Sequence, residues 1–185
     1  GNVEVRSNQS ITFGSNAVVL KSFGSQNGSS LFARGSSITV SGSLRVDGGE
    51  SGNGGTVTLL GTGADGITVS SLISASGGNL SGDGNEINLG GSGKITITNT
   101  GVLRADSLAG QGGIISLFTG ESISQTTSAT LNATVNGTID VNEINANGRQ
   151  PGFVNFATDT GTTKVRGSGD IAGQIALSGG DIDFV

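Results

Sequence analysis

Catalysis and metal binding need groups that move protons, attack bonds or hold cations, and this chain carries few of them. It has no His and no Cys, so imidazole base chemistry, thiolate attack and His/Cys metal sites are excluded. Its acids along the regular part of the sequence, Asp47, Glu50, Asp65, Asp83, Glu86, Asp106 and Glu121, are scattered, with no Asp-Asp pair. Glycoside hydrolysis needs two carboxyls roughly 5–9.5 Å apart across one cleft, and this spacing offers none. A lyase would need an Arg base beside a calcium cluster. Arg45 and Arg104 fall two repeats apart in one column with Ser74 between them, which reads as solvated surface. Asp47 with Glu50, and Asp83 with Glu86, sit in Gly-rich loops and could offer oxygen ligands. Two carboxylates per loop are sparse for a calcium shell, and loop solubility accounts for them. The expectation is a protein that is not an enzyme, with no cofactor and no metal.

Hydroxyls are the one chemical group that recurs with a period. Thr12, Thr39, Thr68, Thr96 and Ser124 occupy equivalent outward positions of one strand, followed two residues later by Gly14, Ser41, Ser70, Thr98 and Thr126. With neighbouring coils about 4.8 Å apart, and alternate residues of a strand about 6.6–7 Å apart, these would form a flat two-column array. Such an array resembles the ice-binding faces of some β-solenoids. Exposed Thr is also a favoured strand residue, and stacked Thr pairs stabilise a ladder without any ligand. The triplets Asn-X-Ser/Thr at Asn8, Asn27, Asn79, Asn132 and Asn136 arise by chance in a chain this rich in those residues.

The elements that must position these residues are short strands in a repeat. One unit runs Leu44-Arg45-Val46-Asp47-Gly48-Gly49, a Gly-rich loop, Thr56-Val57-Thr58-Leu59, then Gly66-Ile67-Thr68-Val69-Ser70. The next runs Ile73-Ser74-Ala75-Ser76-Gly77-Gly78, a loop, Glu86-Ile87-Asn88-Leu89, then Lys94-Ile95-Thr96-Ile97-Thr98, and Leu103-Arg104-Ala105-Asp106 opens a third. Apolar and polar residues alternate in each, the period-2 pattern of a strand with one buried face. One column of anchors is Val3, Leu31, Val57, Ile87, Ile115, Val154 and Ile175, at steps of 28, 26, 30, 28, 39 and 21 residues. A second is Ile11, Ile38, Ile67, Ile95, Ile123, Val165 and Ile182, with Phe13, Val40, Val69, Ile97 and Phe184 two positions on. Gln125 breaks that second set, which with the 39-residue step predicts an insertion or loop near 124–142.

Strands of four to six residues cannot stand alone, whereas stacking each coil on the next pairs every strand with its equivalent. The spacing therefore predicts an all-β fold: one domain over 1–185, a right-handed parallel β-helix (β-solenoid) of about seven coils with three short strands per coil. Unequal steps are expected to be absorbed in the Gly-rich loops. The 35 Gly residues and single Pro151 fit tight corners, and the regular Ile, Val and Leu exclude a disordered Gly/Ser chain. A β-sandwich does not require one three-strand unit to recur in register, a propeller blade needs four strands, and calcium-binding nonapeptides do not occur in series. Net charge is −5 with no basic patch, so nucleic acid is not an expected partner, and no apolar run is long enough to form a transmembrane helix.

The phrases Ile73-Ser-Ala-Ser-Gly-Gly78 and Gly54-Gly55-Thr-Val-Thr-Leu59 resemble filamentous haemagglutinin-like repeats of bacterial exoproteins exported by the two-partner secretion route. The likeness covers about residues 30–125, and the Asn-rich motifs of that family's secretion domain are not found. It implies a β-helix shaft, secretion, and a role in adhesion or matrix at the bacterial cell surface. The expected function is a non-catalytic structural or adhesive segment of a secreted bacterial surface protein or extracellular fibre, meeting a host or matrix surface. An ice-binding β-solenoid and a polysaccharide-active β-helix enzyme are the alternatives. Strand-like sequence from Asn2-Val3-Glu4-Val5 to Asp181-Ile182-Asp183-Phe184 adds the expectation that solenoid ends self-associate, stacking head to tail.

Overall fold

A computed structural model of the chain describes residues 1–16, 18–20, 22–98 and 100–119, and beyond them the backbone of strands between residues 122 and 184. The first coils contain β1 (Asn2–Arg6), β2 (Ile11–Phe13), β3 (Val18–Val19), β4 (Ser30–Val40) and β5 (Leu44–Arg45). There follow β6 (Thr56–Val69), β7 (Leu72–Ser74), β8 (Glu86–Gly91), β9 (Ile95–Ile97), β10 (Val102–Arg104) and β11 (Ile114–Thr119). Then come β12 (Ser122–Ile123), β13 (Leu131–Asn132), β14 (Thr138–Val141), β15 (Glu143–Asn145), β16 (Phe153–Ala157), β17 (Thr162–Val165), β18 (Ile171–Ala172), β19 (Gln174–Ser178) and β20 (Asp181–Phe184). The described residues contain no helix, and so none long and apolar enough to cross a membrane.

Strands pair across coils, in parallel, and the chain is a β-solenoid. The first ladder joins Val3 to Leu31, Val57, Ile87, Ile115, Val154 and Ile175 in unbroken register. The third joins Val18, Leu44, Ile73, Leu103, Ile144 and Ile171. From Val3 to Ile115, where side chains are described, the first ladder completes four turns. Its inward side chains Leu31, Val57, Ile87 and Ile115 are buried with Ile38, Ile67 and Ile95 from the second ladder and Leu44, Ile73 and Leu103 from the third. Each such burial stabilises by roughly 1.5–3 kcal/mol, and a pleated strand turns the alternate residues outward.

The second ladder departs from the expected register in its later coils. Ile11, Ile38, Ile67 and Ile95 stack as expected, but the partner of Ile95 is Ile139, not Ile123. Ile139 then pairs with Thr163, and Thr163 with Ile182, whereas Val165 pairs with Val141 and Phe184. The cause is the chain between the two columns. Ser122–Ile123 pairs antiparallel with Leu131–Asn132 instead of joining the second ladder. The stretch 124–142 therefore divides: β13 lies in this antiparallel pair, β14 lies in the ladder, and the rest of the stretch lies outside the described residues. The register error at Val165 is two residues, which preserves the face of the strand.

Coil length also varies elsewhere than expected. Seven residues separate Leu31 from Ile38, ten separate Val57 from Ile67 and eight separate Ile87 from Ile95. The bend between the first and second ladders thus takes up most of the difference, and the ladder shifts register there between Gly35 and Ser37. Gly66 makes the longest of these bends feasible. It has φ of 58°, and a Cβ would collide with the Lys94 carbonyl of the next coil. By contrast the Gly-rich loops stack coil on coil. Gly28 N–H donates to Asn53 O at 2.8 Å, Gly54 N–H to Asp83 O at 2.9 Å, and Gly84 N–H to Gln111 O at 2.9 Å.

Ile87→Ala should lower unfolding free energy by about 2–5 kcal/mol, because a cavity opens between two coils. Thr58→Ala, on the outer face of the same ladder, should change it by no more than about 0.5 kcal/mol. Chemical denaturation of the two variants measures the difference, and equal losses would mean that the inward and outward faces are misassigned.

Candidate functional site

In the third ladder Leu44, Ile73 and Leu103 point inward, so their neighbours Arg45, Ser74 and Arg104 lie on the outer side, paired Arg45 to Ser74 and Ser74 to Arg104. Two residues further along, Asp47, Ser76 and Asp106 form the adjoining column. The middle coil therefore carries short side chains where both flanking coils carry an Arg and an Asp. The result is a groove of about 410 Å³, floored by Ser74, Ser76 and Gly77 and walled by the Arg–Asp coils, with Glu50 on one rim and Leu108 on the other.

Hydrogen bonds tie the floor to one wall. Asp47, with a side chain only 10% exposed, accepts from Arg45 Nε at 3.1 Å through Oδ2. Its Oδ1 accepts from Ser76 N–H at 3.0 Å and from Ser74 Oγ. Ser76 Oγ lies 3.2 Å from Ser74 Oγ and accepts Asp106 N–H at 3.3 Å, which carries the network to the third coil. The opposite wall is looser. Arg104 Nε lies 3.4 Å from Asp106 Oδ2, and that buried nitrogen makes no hydrogen bond. Arg45 and Arg104, expected as solvated surface positions, are partly exposed, and each sits beside an Asp of its own coil.

Two of the four carboxylates weighed as calcium ligands, Asp47 and Asp83, have other occupations. Both oxygens of Asp47 are taken as described, and Asp83 Oδ1 accepts Gln111 N–H at 2.7 Å. No group of three potential ligands gathers among the described residues.

The Asp83 contact belongs to a second ladder of side chains that sequence reasoning missed. Asn27 Oδ1 accepts Asn53 N–H at 2.9 Å, and Asn53 Oδ1 accepts Asp83 N–H at 2.9 Å. Asn27, Asn53, Asp83 and Gln111 each precede their Leu31, Val57, Ile87 or Ile115 anchor by four residues. That fixed offset was the available signal. Amide and carboxylate oxygens here hold the loops in the same register as the strands.

The hydroxyl columns differ from one another. Thr12, Thr39, Thr68 and Thr96 stack in register on the outer face. The next paired position is Asp140, followed by Lys164 and Asp183, so the column turns from hydroxyls to alternating charge. Ser124 and Thr126, expected to continue the two columns, lie outside the described residues. In the second column Ser41 Oγ donates to Phe13 O and Ser70 Oγ to Val40 O, each at 3.2 Å. Thr98 Oγ1 lies 3.2 Å from Thr100 Oγ1, which donates to Ser70 O at 2.9 Å. These hydroxyls satisfy strand ends of the preceding coil.

Against known proteins, no family profile, no curated protein and no solved structure matches the chain.

Asp47 emerges as the residue that joins two coils at the groove. Asp47→Ala should destabilise by about 1–3 kcal/mol, since Ser76 N–H loses its acceptor. Asp47→Asn, which keeps the Oδ1 acceptor, should recover most of that loss. Arg45→Ala should cost less than Asp47→Ala, because an ion pair to a half-exposed guanidinium is weak. Urea titrations of the three variants give the order, and an Arg45 effect equal to that of Asp47 would contradict it.

Proposed function

We propose that this chain is a non-catalytic, structural and adhesive segment of a secreted bacterial surface protein or extracellular fibre, of the filamentous haemagglutinin-like kind. The observation that carries the proposal is the continuity of the stacking. Strands and Gly-rich loops hold the same coil-to-coil register, and the bend between the first and second ladders absorbs most of the difference in coil length, as a stiff shaft allows and as a catalytic loop cluster does not need. The phrases that resemble the exoprotein repeats, Gly54–Leu59 and Ile73–Gly78, fall where the third ladder passes through a stacked loop into the first. The ladder axis is also the direction in which further coils, from this polypeptide or another copy, would extend the shaft.

Charge placement supports the absence of catalysis. Asp47 is held by three donors, and a general acid or base needs a proton-transfer path to a substrate. The outer columns supply the adhesive surface, and the groove lies among them. Location at the cell surface or outside the cell, and contact with a host or matrix surface, belong to this same proposal.

Electron microscopy of the native secreted material should show rods or fibres, and incubation with neutral or acidic polysaccharides should release no reducing ends. Compact isolated particles would overturn the shaft reading. Cleavage abolished by Asp106→Asn would overturn the non-catalytic one.

A further inference from the structure

We infer that the groove between the Arg45 and Arg104 coils is a binding site for a neutral oligosaccharide, lying across the Ser74–Ser76 floor between the two Arg–Asp walls. The inference rests on the adhesive half of the function proposed above and supplies its ligand class; the shaft half stands or falls separately, by microscopy.

The shape comes first. Two ladder spacings, about 9.6 Å, separate the backbone of one wall from the other, and the middle coil contributes Ser74, Ser76, Gly77, Gly78 and Asn79 between them, none of them as long as the Arg side chains of the walls. A groove of about 410 Å³ falls within the range of small-ligand sites. It is open to solvent on one side, so sugar rings can enter it from the surface.

Charge then narrows the ligand. Two guanidiniums face three carboxylates, those of Asp47, Asp106 and Glu50, so the groove has no surplus of positive charge. A polyanion would meet Glu50 on the rim and gains nothing overall. A metal ion is disfavoured by the same two guanidiniums.

Hydrogen-bonding capacity points the same way. Arg45 engages Asp47 through Nε alone, which leaves its Nη donors directed elsewhere. Arg104 Nε is ion-paired with Asp106 Oδ2 at 3.4 Å but makes no hydrogen bond. Glu50 on the rim supplies acceptor oxygens. A sugar ring is both donor and acceptor at each of its hydroxyls, and it can satisfy this mixed set, whereas a carboxylate or sulfate group accepts only. Leu108, 74% exposed at the rim, offers an apolar surface to the C–H face of a ring. Asp47, fixed by its own coil and the next, holds one wall still, while the looser Arg104 can adjust to the ligand.

The test titrates the 185-residue protein, uniformly labelled, with cellohexaose, maltohexaose, xylohexaose and mannohexaose in separate NMR experiments. Arginine Nε–H signals, the backbone amides of Ser74, Ser76 and Leu108, and apparent Kd are the readouts. Heparin hexasaccharide and a Gly/Ser-rich dodecapeptide are the competing ligands. At least one neutral hexasaccharide should shift the Arg104 Nε–H and Ser76 signals saturably. Arg104→Ala should weaken that binding at least about tenfold, and Leu108→Ser at least about threefold. Leu108 is at the surface, so its variant keeps the test decisive if Arg104→Ala unfolds. Three outcomes overturn the inference: no neutral sugar shifts these signals, heparin or the peptide binds more tightly than every neutral sugar, or both variants bind as the parent does.

Discussion

Every feature of this molecule depends on one constraint: each coil must lie one hydrogen-bonded ladder spacing, about 4.8 Å, above the last. At that distance a residue's closest neighbour is its equivalent in the next coil. A single side chain is therefore never chosen alone. Val57 must suit Leu31 and Ile87, and Thr68 must suit Thr39 and Thr96. Aliphatic side chains stack inward because an ionised group there would be desolvated without a partner. Even the loops obey. The Asn27–Asn53–Asp83–Gln111 series gives each loop backbone an acceptor from the coil before it, so that a Gly-rich segment becomes part of the shaft.

The groove follows from the same constraint by a local exception. Stacking three Arg on one another would place like charges at one ladder spacing, which is unfavourable. Ser74 and Ser76 interrupt the columns, space the two Arg–Asp coils apart, and leave room above themselves. The interruption also has a structural task, because Ser74 Oγ and Ser76 N–H hold the Asp47 carboxylate. A groove on a solenoid thus arises from what a coil lacks, while the flanking coils supply the polar groups.

Much of this architecture was legible in the sequence because the ladders are local rules repeated. The first column, Val3 to Ile175, could be read entire, since alternation fixes the face and recurrence fixes the neighbour. The failure at Ile123 is instructive. It lies 28 residues after Ile95, the same step that joins Ile87 to Ile115, and Ile123 is apolar with a polar neighbour. Pattern alone prefers it to Ile139. What removes it is pairing with Leu131, a contact between two short segments that no period announces. The groove was illegible for a different reason. Arg45, Ser74 and Arg104 could be aligned, but the depth of the trench and the ties of Asp47 to Ser74 and Ser76 depend on side-chain packing across coils. The second hydroxyl column looked like a lattice because sequence does not show Ser41 and Ser70 turning to the carbonyls of Phe13 and Val40.

The central claim is the coil-to-coil register, and the absence of native Cys allows it to be measured cleanly. Spin labels at Thr12→Cys and Asp140→Cys report on the outer column that runs Thr12, Thr39, Thr68, Thr96, Asp140. Four ladder spacings should separate their backbones by about 19 Å, and pulsed electron paramagnetic resonance should return a single narrow distance near that value, broadened only by the label arms. A separation well beyond about 30 Å, or a broad distribution, would contradict the register and with it the stacked shaft.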